Sequence, residues 1–190
     1  VGFLFKENGE IRAFRLSGNQ TEIFRSVSGV IERRKINRRI CMSEMLEKAR
    51  KYEDEQGKQI KAEDRPAFHV SPYVGWMNDP NGFSYYQGEY HLFYQYNPYD
   101  THWDSMHWGH VVSKDLLHWE YLPAALAPDE DYDKMGCFSG SAIELDDGRQ
   151  LLMYTAVDHE TLEDGSKRDI QTQAVACLLY TSPSPRDVEE

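Results

Sequence analysis

The chain has 190 residues, a formal charge of -11 and a pI near 5.1, with 13% aromatic residues. That length suits one domain, and the acidic balance argues against nucleic acid or an anionic membrane as a partner. Cys41, Cys137 and Cys177 are odd in number and widely spaced, so neither a disulfide framework nor a zinc pattern is visible. A reducing, cytoplasmic setting is therefore expected. No run is long and apolar enough to span a membrane, and no signal peptide is evident.

In chain order, Val1–Phe5 and Ile11–Phe14 read as strands around an Asn8-Gly9 turn. Arg33-Arg34-Lys35 and Arg38-Arg39 make the next stretch locally basic. It reads either as a solvated tail or as upstream sequence translated in frame. Arg38-Arg39-Ile40-Cys41-Met42 can be encoded by a purine-rich ribosome-binding sequence, a spacer and a start codon, which would make Met42 the natural start and 1–41 a separate stretch. Met42 to Gln56 has the spacing of an amphipathic helix through Met42, Met45, Leu46, Ala49 and Tyr52. Ser43 is its expected cap, Glu44 suits its positive end and Gly57 is its expected stop. With the polar connector that follows, it forms a unit over residues 42–64 whose role is packing.

From Phe68 the periodicity becomes that of strands. In Trp76-Met77-Asn78-Asp79-Pro80-Asn81-Gly82, Pro80 pushes Asp79 to an extended backbone and Asn81-Gly82 is a turn dipeptide. The expectation is a carboxylate at a strand end, held beside a stiff turn. Strands are further expected at Tyr90–Tyr96, Trp108–Ser113, Ser139–Leu145, Leu151–Val157 and Gln171–Ala176, the middle pair turning at Asp146-Asp147-Gly148. Short strands at near-regular spacing imply an all-β sandwich, barrel or propeller, and periodicity leaves the three open. His102, His107, His110 and His118 match no zinc motif, and on a strand His107 and His110 would face opposite sides. No metal or cofactor is expected. Asp129-Glu130-Asp131 and Asp133 read as a solvated acidic loop, with calcium binding as the alternative.

Five segments fall in a recognisable order: Trp76 to Gly82, Phe93 to Pro98, Met106 to His110, Ser113 to Trp119, and Phe138 to Ser141. Together they resemble the motifs of glycoside hydrolase family 32, the invertases, sucrose-6-phosphate hydrolases and fructanases. The resemblance runs from about residue 65 to residue 176. It implies a five-bladed β-propeller of four-stranded blades, of which this chain would supply the first blade and most of the second. Cys177 to Asp187 departs from the family pattern and resembles the in-frame translation of a transposase sequencing adapter. Natural sequence is therefore expected to stop near Ala176, with 177–190 foreign and the parent protein continuing.

The family's chemistry is hydrolysis with retention, which needs two carboxyl groups roughly 5 Å apart. The resemblance makes Asp79 the nucleophile. The family's acid/base, in a Glu-Cys motif, and its second aspartate, in Arg-Asp-Pro, lie beyond these residues, and neither pattern occurs here. Arg168-Asp169 lacks the proline and comes too early. The resemblance places Asn78, Gln95, Trp103, Phe138 and Ser139 against the fructosyl unit, Trp103 as an apolar wall. The expected partner is a small fructoside, with sucrose, its 6-phosphate and short fructans undivided. A non-catalytic fructoside-binding propeller and a fructosyltransferase are the alternatives. Lacking the second carboxylate, these residues alone are expected to be inactive.

Overall fold

A computed structural model describes residues 43–146 and 148–176 in full, and the backbone of 2–7, 10–17, 20–23, 177 and 178. The basic stretch and the proposed start at Met42 lie outside the described residues, as does the adapter-like segment from residue 179 onward.

Three N-terminal strands come first: β1 (Gly2–Glu7), β2 (Glu10–Ser17) and β3 (Gln20–Ile23). The expected pair around residues 8 and 9 is present, with Glu7 opposite Glu10 in an antiparallel register. Helix α1 spans Glu44–Gly57. Its cap is Ser43, whose hydroxyl accepts from the Leu46 amide at 3.1 Å. Gly57 does not stop the helix. It remains inside, packed against the Tyr73 ring, and Lys58 caps the end.

Seven strands follow: β4 (Trp76–Tyr86), β5 (Glu89–Asn97), β6 (His107–Ser113), β7 (Glu120–Leu126), β8 (Gly136–Glu144), β9 (Gln150–Thr161) and β10 (Lys167–Leu178). Strands β4 to β7 form one antiparallel meander in chain order. Strands β8 to β10 form a second meander, and β1 pairs in parallel with β10 to extend that sheet. Among the described residues the fold is mostly β with one α-helix, as expected from the strand pattern.

Period-two alternation in β5 builds both layers of the core. His91, Phe93 and Gln95 face the second sheet, while Leu92, Tyr94 and Tyr96 face the helix. Between the sheets, Phe93, Trp108 and Ala125 pack on Cys137, Leu152, Tyr154, Ala156 and Ala174. On the other side, Tyr94, Tyr96, Val111 and Ala124 pack on Ala49 of α1 and on Val74. Burying an aromatic ring of this kind contributes roughly 4 to 6 kcal/mol of transfer free energy at the upper bound. The two aromatic layers therefore hold the sheets in register.

Helix α1 also protects a sheet edge. Strand β7 is outermost in its sheet, so its outward backbone groups need partners. The Arg50 Nε donates to the Ala124 carbonyl at 3.0 Å, and a Glu53 carboxylate oxygen accepts from the Ala124 amide at 3.0 Å. Two side chains thus replace the missing strand at that residue. Burial pushes the Glu53 carboxyl above its ordinary range.

Candidate active site

The motif Trp76 to Gly82 opens β4 and is itself strand, not a turn beyond the strand's end. The chain reverses only at Gln87-Gly88, where both residues have positive φ. In place of the expected turn, the β4–β5 register shifts twice, between Met77 and Pro80 and between Asn81 and Ser84. The physical reason is that Pro and Gly serve a β-bulge as well as a turn. Pro80 needs no ladder donor because β4 is an edge strand. Gly82 adopts φ +50, and a side chain there would press on Phe93 and Ala142. The first bulge leaves Asn78 and Asp79 without partners on β5 and turns both side chains out to solvent.

Strand β8 has a matching irregularity. Its register with β9 shifts between Phe138 and Gly140, so Ser139 is the bulged residue. The two bulges meet. The Ser139 hydroxyl donates to an Asp79 carboxylate oxygen at 3.4 Å, and the Gly140 amide donates to the Asn81 side-chain oxygen at 3.3 Å. Asn81, expected only as a turn residue, is buried and braces the two strands. Nothing in the local sequence separates that role from a turn.

Gly140 is the tightest point of this contact. A side chain there would run into the Met153 carbonyl and the Tyr154 backbone, neither of which can move cheaply. Gly140→Ala should therefore lower stability by about 1 to 3 kcal/mol, read as a drop in Tm of several degrees. An unchanged Tm would show that β8 approaches β9 less closely.

The second half of the site is aromatic. Trp103 is 53% exposed on the loop between β5 and β6 and meets the Phe138 ring edge-to-face, with centroids 5.9 Å apart. Asn97 holds that loop, donating to the His102 carbonyl at 2.9 Å and accepting from the Tyr99 amide at 3.1 Å. Gln95 sits behind this corner, only 4% exposed, and its Nε2 donates to the Cys137 carbonyl at 3.0 Å. The Trp108 indole donates to the carbonyls of Cys137 and Phe138, each at 3.2 Å. The structure thus brings Asp79 to Ser139 and Trp103 to Phe138, with Asn78 beside Asp79, while Gln95 is buried against the Cys137 carbonyl and does not join them.

The histidines fall into separate surroundings. His91 Nδ1 and His110 Nε2 are 3.0 Å apart between the sheets. His107 lies on the opposite face of β6, its Nδ1 bonded to the Ser105 carbonyl, and burial pushes its pKa down to about 4. His102 and His118 are exposed and pair with Asp100 and Asp115 at 3.1 and 2.7 Å. Among the described residues, no group of three or more His, Cys, Asp or Glu side chains is placed to hold a metal ion.

The acidic loop differs from expectation: Asp129 and Glu130 are half-buried, and Asp133 departs furthest. Asp131 is solvated, but Asp133 is 0% exposed. The loop folds back over the second sheet, and the Tyr154 hydroxyl donates to the Asp133 carboxylate at 2.8 Å. The Glu130 amide donates to its other oxygen at 2.8 Å.

Residues 69–186 match the model of the glycosyl hydrolases family 32 N-terminal domain. A sucrose-6-phosphate hydrolase of Zymomonas mobilis is 47% identical over 135 residues, covering 69% of this chain and 26% of that protein. A variant of a β-fructofuranosidase of Bombyx mori, in complex with sucrose, superposes with a TM-score of 0.58 at 40% identity, over 73% of this chain and 30% of that one. A sucrose-6-phosphate hydrolase of Lactobacillus gasseri superposes with a TM-score of 0.54 at 40% identity, over 66% of this chain and 25% of that one. The chain spans about a quarter of the length of the curated sucrose-6-phosphate hydrolases it matches. With its motif strand, its facing bulges and this match over more than half its length, the chain belongs to glycoside hydrolase family 32.

Proposed function

We propose that this chain carries the nucleophile half of a retaining β-fructofuranosidase acting on sucrose or sucrose 6-phosphate. The observation that carries the reading is the meeting of the two bulges, which sets the Asp79 carboxylate against the Ser139 hydroxyl beside the Trp103–Phe138 corner. In this reading an Asp79 oxygen attacks the anomeric carbon of the fructosyl unit. The bond from that carbon to the leaving sugar oxygen breaks, and a carboxylic acid from the remainder of the protein protonates that oxygen. The same group then takes a proton from water, which cleaves the fructosyl ester and frees Asp79. Exposed Asp79 is reachable by substrate without rearrangement. Ser139 holds one carboxylate oxygen and leaves the other for attack. Asn78 supplies polar contacts to the sugar hydroxyls, Gln95 holds the Cys137 carbonyl from behind the pocket, and the Trp103 face supplies the apolar wall. No metal or cofactor enters the reaction, and the setting is cytoplasmic.

The architecture proposed for the whole domain is a five-bladed propeller, with β4 to β7 as the first blade and β8 to β10 as three strands of the second. One side of the β4–β5 ribbon supports this. Phe83 and Tyr85 are exposed, and both contact Tyr90. In a closed ring, a further blade would cover such an apolar patch.

The test is to sequence the source DNA past Ala176 and assay the continuous product. The reading predicts Arg-Asp-Pro and Glu-Cys motifs downstream and release of fructose from sucrose or its 6-phosphate. A continuous frame without those motifs, or a folded product that releases no fructose, would contradict it.

A further inference from the structure

We infer that Asp133 is a positioning residue of the fructoside pocket, fixing from beneath the strand entry that presents Phe138 and Ser139. The inference rests on the function proposed above and adds a residue that touches neither the sugar nor Asp79.

A fully buried carboxylate is costly unless its oxygens are satisfied. Both Asp133 oxygens are engaged: one by the Tyr154 hydroxyl at 2.8 Å, the other by the Glu130 amide at 2.8 Å. The Cys137 thiol lies 3.8 Å from the first oxygen. Tyr154 is itself buried, and burial pushes its hydroxyl pKa upward, so it stays a donor. The Asp133 backbone closes the loop on both sides, its amide bonded to the Glu130 carbonyl at 3.2 Å and its carbonyl to the Gly136 amide at 2.8 Å.

The next residue after that turn is Cys137, where every backbone group is held. Its amide donates to the Met106 carbonyl at 2.8 Å, and its carbonyl accepts from Gln95 and Trp108. Asp133 pulls this junction toward the second sheet through Tyr154 of β9, while Gln95 and Trp108 pull it toward the first. Phe138 and Ser139 follow at once. Their position relative to Asp79 therefore depends on a buried carboxylate six residues before Ser139 and a phenol on a different strand. Removing the phenol takes one donor from a fully buried oxygen, and the junction shifts to relieve it.

The experiment compares wild type, Tyr154→Phe, Asp133→Asn and Asp133→Ala in the 190-residue chain by amide hydrogen exchange and NMR. Tyr154→Phe should speed exchange at Glu130, Gly136, Cys137 and Gly140 by about tenfold, the scale of one buried hydrogen bond lost, while Phe93, Tyr94 and Val111 stay unchanged. The Trp108 indole resonance should shift as its two acceptors move. Asp133→Asn, which keeps the shape and the bond from Glu130, should disturb these signals less than Asp133→Ala. If Asp133→Ala does not fold, Tyr154→Phe still decides. In the longer gene product, Tyr154→Phe should raise KM for sucrose several-fold with a smaller change in kcat. Uniformly faster exchange across both sheets, an unmoved indole resonance, or an unchanged KM in an active enzyme would overturn the inference. A wild-type gene product without activity would instead overturn the proposed function, because the exchange pattern involves no sugar.

Discussion

Asp79→Asn in the gene product that contains this chain is expected to lower kcat on sucrose by about four orders of magnitude or more, the scale seen when a covalent nucleophile is removed. The substitution keeps the size of the side chain and removes its charge. Asp79 is exposed, and its bond from Ser139 is long at 3.4 Å, so folding should not depend on it. The thermal unfolding midpoint should stay within about two degrees, as for other exposed surface changes. KM should change little, because the sugar hydroxyls and the apolar wall of Trp103 are untouched. Steady-state kinetics and a melting curve on the same preparation check this. A variant that keeps more than a tenth of the activity would remove Asp79 from the nucleophile's role. One that loses its fold would show that the bulge itself requires the carboxylate.

The second large effect is acid destabilisation through His107. This ring is 0% exposed, and its Nδ1 is committed to the Ser105 carbonyl. Burial is the main cause of its lowered pKa of about 4; the bond to the Ser105 carbonyl and Asp129 act against it, and Lys48 acts with it. The ordinary histidine value is 6.5. In the unfolded chain His107 therefore takes up a proton near pH 6.5, while in the folded chain it resists until about pH 4. The stabilisation is fully present above pH 6.5 and is lost as pH falls toward 4. The integrated loss is on the order of 3 kcal/mol. His91 and His110, also buried and shifted downward, add to the loss in the same direction. Glu53 opposes them. Its raised pKa means the folded state gains a proton first, so it recovers some stability as pH falls through its folded value. Melting temperatures measured between about pH 7.5 and 4 should fall steeply in wild type and less steeply in His107→Gln. Parallel curves for the two proteins would contradict the assignment.

How much of this was legible in the sequence depended on which physical signal each element carried. Strands β5 and β6 were legible because aromatic residues crowd β5, a Trp and two valines mark β6, and a turn precedes β5. Helix α1 was legible from its apolar spacing and its serine cap. Strand β7, with the sequence Glu-Tyr-Leu-Pro-Ala-Ala-Leu, was not, because Pro123 and two alanines are poor strand formers. It is a strand because it lies on an edge and because Arg50 and Glu53, more than 70 residues earlier, satisfy Ala124. The site residues were legible through the resemblance, yet the backbone that presents them was not. Asp-Pro-Asn-Gly has the chemistry of a turn and of a bulge alike, and only pairing with β5 separates the two. Asp133 was hidden for a related reason. Four acids within five residues look solvated, and the partner that buries one of them is Tyr154, 21 residues later on another strand.

The most direct test of the central claim is to trap the covalent intermediate. The active gene product would be mixed with sucrose, quenched in acid within a turnover, digested and examined by peptide mass spectrometry. A fructosyl ester on the peptide carrying Asp79, absent in Asp79→Asn, is the predicted result. Turnover with no ester on Asp79, or an ester on a different carboxylate, would contradict it.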